Sequence, residues 1–333
     1  MTAISTRPEK IQGGAALWRT AQIIGVLSLI VLLVGLVLTT ELALDVLWNV
    51  LIPLVPASLL ISPAIWRNVC PLATINMLLN RSAGSRVLKP DIIPTAGMWG
   101  IVLLGILVPA RRFLFNSDGI ALAVTITLVA VAALVLGAFF EFKAGFCNAI
   151  CPVLPVERLY GQHPMVEIGN PRCNPCTLCT PKGCIDLTPT KSIAQTLGSA
   201  RRSHAWLMTG YGVFAASFPG FVVGYYTAQD GPLATAGAVY TNVALWAFGS
   251  YLATVVFVRA FNANAGRTIV LLAASAAGLY YWFAAATITS AFAMEGILTL
   301  GIRVVGLTLV GVWLLRATPF VGSENSVSRA QHG

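Results

Sequence analysis

"QIIGVLSLIVLLVGLVL", residues 22–38, carries no charged side chain from end to end. A helix needs about 20 mostly apolar residues to cross the hydrocarbon core of a bilayer, and this run with its neighbours supplies them. The preceding stretch, "MTAISTRPEKIQGGAALWRT" (1–20), is polar, and no A-x-A-like cleavage site follows the apolar run. The run therefore reads as a first membrane span rather than the core of a signal peptide, and no cleaved signal is expected. Composition extends the reading to the whole chain. Of 333 residues 57% are hydrophobic and only 10% charged, where a soluble domain carries roughly 25% charged residues. With a mean hydropathy of +0.80, the expected class is an all-α polytopic membrane protein.

Further apolar runs bring the expected number of transmembrane helices to about eight, near 21–40, 44–65, 97–115, 119–140, 205–227, 236–258, 268–290 and 294–315. The third is the shortest and contains Pro109. The chain then divides into an N-terminal tail (1–20), spans one to four (21–140) with a first loop at 66–96, a long loop (141–204), spans five to eight (205–316) and a polar tail (317–333). The formal charge of +9 does not point to nucleic acid, because the basic residues sit in loops between apolar runs. If the N-terminus is cytoplasmic, all of the 21 Lys and Arg residues except Arg111, Arg112 and Arg303 fall on that side or in the tails. Positive loops face inward. Both termini and the long loop are thus expected in the cytoplasm, in a cytoplasmic (inner) membrane. Arg111 and Arg112 read as solvated residues of the outer face, or as contacts to a lipid headgroup or an acidic partner.

A duplication lies inside this pattern. "IWRNVCPLATINML" (65–78) follows span two and "FCNAICPVLPVERL" (146–159) follows span four. Aligned without gaps, Cys70 meets Cys151 and Pro71 meets Pro152, but Cys147 meets Trp66. The second copy is a C-x3-C-P; the first lacks its leading cysteine. Proline lacks the donor that would continue a helix, so both prolines also read as helix ends. Downstream, "RCNPCTLCTPKGC" (172–184) sets Cys173, Cys176, Cys179 and Cys184 at C-x2-C-x2-C-x4-C. Seven cysteines, odd in number and locally spaced, do not make a disulfide framework. Short turns aim successive thiolates into one pocket, which suits an iron–sulfur cluster better than zinc, whose sites favour two separated C-x2-C pairs.

The fourth ligand has two solutions. Cys184 completes the set locally; in a ferredoxin-like scheme Cys173, Cys176 and Cys179 take a remote Cys-Pro cysteine, Cys151 or Cys70. One [4Fe–4S] cluster is expected. A second would draw on Cys70, Cys147 and Cys151, short of one thiolate, with His163 or Asp186 as the non-cysteine candidates.

A C-x3-C-P at a membrane helix end, echoed by a second Cys-Pro and followed by a cysteine-rich loop, resembles the membrane-bound polyferredoxins. These include quinol-dehydrogenase-type membrane subunits of periplasmic nitrate reductase systems, the membrane half of nitrous-oxide-reductase regulators, and cytochrome oxidase accessory ferredoxins. The resemblance covers about 60–190. It implies [4Fe–4S] clusters on a small ferredoxin-like cytoplasmic loop, moving electrons between a quinone pool or a cytoplasmic donor, such as a soluble ferredoxin or flavoprotein, and a redox partner in the membrane. The chain departs from that pattern at Trp66, in having one ferredoxin-type motif rather than two, and in its last four spans.

Other residues read more plainly. His163 precedes Pro164 and reads first as a turn residue. His204, beside Arg201, Arg202 and Trp206, reads as an interface anchor. Arg303, the one strong charge within an expected span, pairs with Glu295, snorkels, or contacts a quinone or anion. The aromatics of "GYGVFAASFPGFVVGYY" (210–226) pack helices or line a quinone pocket. There is no Gly-rich phosphate cradle and no Ser-His-Asp arrangement, so an electron-transfer component is expected rather than a stand-alone enzyme. Two other classes fit the same residues: a maturation factor using its cluster as reductant for a client metalloenzyme, and a zinc-binding membrane scaffold or transporter.

Overall fold

In lipid every backbone N–H and C=O must be satisfied within the element, so spanning segments become helices. The computed structural model describes residues 11–12, 15–79, 86, 88–89, 92–169, 185–186 and 188–330. Among these, seven helical spans are long and apolar enough to cross a membrane: Ala16–Leu38, Thr40–Ile61, Ile93–Phe115, Gly119–Phe139, Leu233–Phe261, Ala265–Ala291 and Ile297–Thr318. The chain is a multi-pass, all-α membrane protein. An eighth helix, Gly210–Thr227, runs between the same two ends of the bundle but is too polar to count with the seven. Its glycines, tyrosines and Pro219 dilute its hydropathy, and most of its side chains pack against protein. The fifth expected span also starts later than the sequence implies. Residues His204–Met208 form a separate 3-10 turn, and Thr209 caps the helix by accepting from the Gly212 N–H at 3.0 Å.

The following labels are used: α1 Ala15–Leu38, α2 Thr40–Ile61, α3 Pro63–Val69, α4 Pro71–Leu78, α5 Ile93–Phe115, α6 Gly119–Phe139, α7 Leu154–Tyr160, α8 Ser192–Leu197, α9 Gly210–Thr227, α10 Ala236–Phe261, α11 Ala265–Ala291 and α12 Ile297–Ala330. Pro109 does not break α5. The helix passes it and widens into a π turn at Arg111–Phe115, a common way of absorbing a lost hydrogen bond.

One end of the bundle gathers both Cys-Pro segments, the start of α9 and the turn between α10 and α11, where His204 Nε2 lies 3.0 Å from Asn262 Oδ1. Arg316, near the end of the last span, donates to the Met165 carbonyl at 2.6 Å there. A two-residue strand, Ile11–Gln12, pairs parallel with Ile168–Gly169 at this end too.

The opposite end is closed by arginines. Arg111 stacks over the Trp48 ring at 4.6 Å and donates to Tyr225 Oη at 2.9 Å. Arg112 donates to the Tyr225 carbonyl at 3.0 Å and to Asp230 Oδ1 at 2.8 Å. The sequence reading of these two as solvated residues is therefore replaced. They tie α5 to the end of α9 and the turn beyond it. Between the ends the main core is built from α9, α11 and α12, where Ala273, Ala276, Ala277 and Ala284 are buried. Small side chains let membrane helices approach closely.

Candidate functional site: the doubled Cys-Pro end

The duplication is carried in the backbone. α3 stops at Cys70, which takes φ −56°, ψ 120°, and Pro71 opens α4. The π turn Phe146–Ile150 stops at Cys151, which takes φ −57°, ψ 125°, and Pro152 leads into α7. A residue before proline is pushed out of the helical region, and proline suits the first helical turn. Each Cys-Pro therefore makes the same corner.

Each corner is held against its own half's first helix by a glycine. A Cβ on Gly25 of α1 would collide with the Val69 carbonyl, and one on Gly100 of α5 would lie 2.8 Å from the Cys151 carbonyl. The second helices cross over: α6 packs on α4, and α2 packs on α7. Asn76 of α4 donates to the Ala133 carbonyl of α6 at 2.7 Å. The two halves are thus related as partners that exchange one helix each.

A buried polar network joins them. Arg67, 2% exposed, donates to Glu157 Oε2 at 2.6 Å, Asp186 Oδ1 at 2.9 Å and Asn148 Oδ1 at 2.8 Å. Arg67 and Asn148 occupy the same position of the repeat, three residues before the corner cysteine. Lys143 Nζ donates to the Arg67 carbonyl at 3.0 Å and lies 3.5 Å from Asp186 Oδ2. Burial alone would raise the Asp186 carboxyl, but Arg67 and Lys143 overcome it and bring it down to about 2. Buried charges of this kind persist because each is paired and hydrogen-bonded.

Cys70, Cys147 and Cys151 share one buried cluster with Phe146, Ala73, Ala133 and Leu154, and all three are free thiols. Burial raises each of them, Cys147 to about 12, while Arg67 and Lys143 pull Cys147 the other way. The Cys147 thiol faces Asn76 Oδ1 at 3.9 Å. Among the described residues no three His, Cys, Asp or Glu side chains are grouped so as to hold one metal ion. Thiolates are the donors that iron–sulfur clusters use, so these cysteines suit such a group in kind but do not complete a set by themselves.

Cys173, Cys176, Cys179 and Cys184 lie outside the described residues. Their flanks are anchored at this end of the bundle. On one side the Met165 and Val166 N–H groups donate to the Leu60 and Ile61 carbonyls at 3.1 and 2.9 Å, and Ile168–Gly169 pairs with the N-terminal strand. On the other, Ile185 is buried and Asp186 is held by Arg67 and Lys143. Asp186, a candidate ligand by sequence, has both carboxylate oxygens engaged with these cations. His163 sits in the turn after α7, as its proline neighbour implied. Arg303 is far from this end: its Nε donates to the Trp282 carbonyl at 3.0 Å and its guanidinium stacks on the Trp282 ring at 4.3 Å. Among the described residues no ion pair joins it to Glu295.

The sequence reading passed over Arg67, Lys143, Asn148 and Glu157. The signal was present in the repeat itself, where a cation and an amide stand at matching positions beside the two corner cysteines. No protein-family model matches the chain, and no curated protein or solved structure matches it.

Proposed function

We propose that this is a membrane-bound iron–sulfur electron-transfer protein of the cytoplasmic membrane, its cysteine-bearing end facing the cytoplasm. Cys173, Cys176 and Cys179 would hold a [4Fe–4S] cluster, with Cys184 or a corner cysteine, Cys151 or Cys70, as the fourth ligand. The observation that supports this best is the anchoring just described. Both flanks of the four-cysteine segment attach to the bundle end where the other three cysteines pack in one cluster. When bound, such a cluster supplies one-electron transfer at a potential set by burial and by hydrogen bonds to its sulfurs.

The chain's own contribution is positional and electrostatic. Arg67 and Lys143 pull the Cys147 thiol toward its anionic form, against its burial, and are themselves balanced by the Glu157 and Asp186 carboxylates. The Arg67–Asp186 contact fixes the segment's return to the membrane surface. An electron donor or acceptor in the bilayer then lies on one side and a soluble carrier, of ferredoxin or flavoprotein type, on the other.

Anaerobic purification in detergent, with iron, zinc and acid-labile sulfide counted per chain and EPR before and after dithionite, tests the reading. About four iron and four sulfide with a reduced S = 1/2 signal are expected. Zinc without sulfide overturns it. Cys184→Ser, Cys151→Ser and Cys70→Ser then identify the fourth ligand, since only the true ligand's loss should change iron content. A maturation factor would differ in one respect: its deletion would leave a client metalloenzyme unmetallated.

A further inference from the structure

Arg303 lies within the membrane-spanning part of α12. It follows the start of the helix at Ile297 by less than two turns, ~9 Å at a rise of about 1.5 Å per residue. That end of α12 is remote from the cysteines, because α11 begins at the cysteine-bearing end and crosses the bundle before α12 starts. Around Arg303, Leu300, Val304 and Val305 are each more than half exposed, which on a spanning helix means contact with lipid. A cation in such surroundings is costly and needs a partner.

Its geometry is fixed on one side only. Nε donates to the Trp282 carbonyl at 3.0 Å, and the guanidinium lies over the Trp282 ring at 4.3 Å. These contacts use one donor and one face of the plane. The N–H groups on Nη1 and Nη2 meet no acceptor among the described residues, and no carboxylate pairs with the charge. The nearby hydroxyls of Thr289 and Thr299 satisfy each other at 2.7 Å. Side chains on a helix lean toward its N-terminus, which for α12 is the nearer membrane surface. Trp282 is half-exposed beside it, the setting in which tryptophan marks the headgroup boundary.

The site asks for an acceptor at the base of the headgroup layer that offers two oxygens to a planar fork and carries apolar chains to cover Leu300, Val304 and Val305. A phosphodiester on acyl chains meets all of these requirements; inorganic phosphate supplies the oxygens alone. We infer that Arg303 and Trp282 form a phospholipid-binding site in the leaflet opposite the cysteine-bearing end. Nη1 and Nη2 hold the phosphate, and the acyl chains lie along α12. The inference requires neither iron nor electron transfer.

The test uses the full chain, delipidated in detergent and titrated with phosphatidylglycerol while bound lipid is counted by native mass spectrometry. Diacylglycerol, which has the chains without the phosphate, and inorganic phosphate are added separately as competitors. Wild type is expected to hold a single phospholipid that neither competitor displaces. Arg303→Gln should hold it about tenfold more weakly, the scale of a lost charge-assisted hydrogen bond. Arg303→Lys keeps the charge without the fork, and Trp282→Leu keeps the charge without the stack; each should fall in between. Phosphatidylglycerol should raise the unfolding temperature of wild type by mass action and leave that of Arg303→Gln unchanged, a readout that also shows the variant to be folded. An Arg303→Gln chain that holds the lipid as tightly as wild type overturns the inference. Displacement by diacylglycerol does so too, since the chains alone would then select the occupant, and displacement by inorganic phosphate would make this a free-anion site instead.

Discussion

Arg67 is the residue at which the two repeats meet, and its three partners come from beyond its own half. Its contacts with Glu157 and Asp186 reach 90 and 119 positions along the chain. Removing one partner of a buried pair leaves the others charged and desolvated, at a cost of about 3–5 kcal/mol. Arg67→Leu should therefore lower the stability of the detergent-solubilised protein by that order, read from denaturant or thermal unfolding. The double variant Arg67→Leu, Glu157→Leu, which keeps the Lys143–Asp186 pair, should recover much of the loss. A single variant as stable as wild type would mean that the network does not join the halves. This residue was hidden in the sequence for a physical reason. A lone arginine after a membrane span reads as an orientation signal, and only the fold brings it to a carboxylate. The corners at Cys70 and Cys151 were legible because a residue before proline is shaped by its neighbour in sequence. Arg111 and Arg112 were misread for the same reason as Arg67, since Tyr225, Asp230 and Trp48 all lie far away in sequence.

The helices carry a test of the corner geometry. On Gly25 and Gly100 a methyl group would meet a backbone carbonyl, which cannot move aside as a side chain tip can. Gly25→Ala and Gly100→Ala should each cost about 1–3 kcal/mol, the usual scale of overpacking. Gly105, one and a half turns from Gly100 on α5, has nothing within 4 Å of a built Cβ. Gly105→Ala is expected to be neutral or mildly stabilising, since alanine is the better helix former, and it serves as the control within one helix. Equal effects at all three positions would mean that the corners are not packed as described. Seven spans were readable from apolar runs because lipid demands them. The eighth crossing, α9, was harder to bound because protein surrounds most of it, which relaxes the need for apolar side chains and admits Gly, Tyr and Pro. Its start at Gly210 rather than 205 reflects the Thr209 cap, a local hydrogen bond that hydropathy does not see.

At the scale of the molecule, the short strand Ile11–Gln12 belongs to the cysteine-bearing end. Ile11–Gln12 supplies the strand against which Ile168–Gly169 lies, just before the four-cysteine segment. Deleting residues 1–14 removes hydrogen bonds worth on the order of 1 kcal/mol each, and should lower iron per chain and speed proteolysis between 165 and 190. Unchanged iron and proteolysis would show that the strand pair does not secure the segment. The doubling of the Cys-Pro corner also bears on ancestry. Had the two halves begun as separate copies of one peptide, assembled as a homodimer, every position would have faced its own image. Arginine would have stood where Asn148 now receives Arg67, and like charges would have met in a dry interior. In a single chain the two positions can differ, one a cation and the other an acceptor. In the same way, Cys147 stands in one copy where Trp66 stands in the other. The single chain thus carries a thiol on one side and an aromatic ring on the other, a difference that no pair of identical subunits can hold.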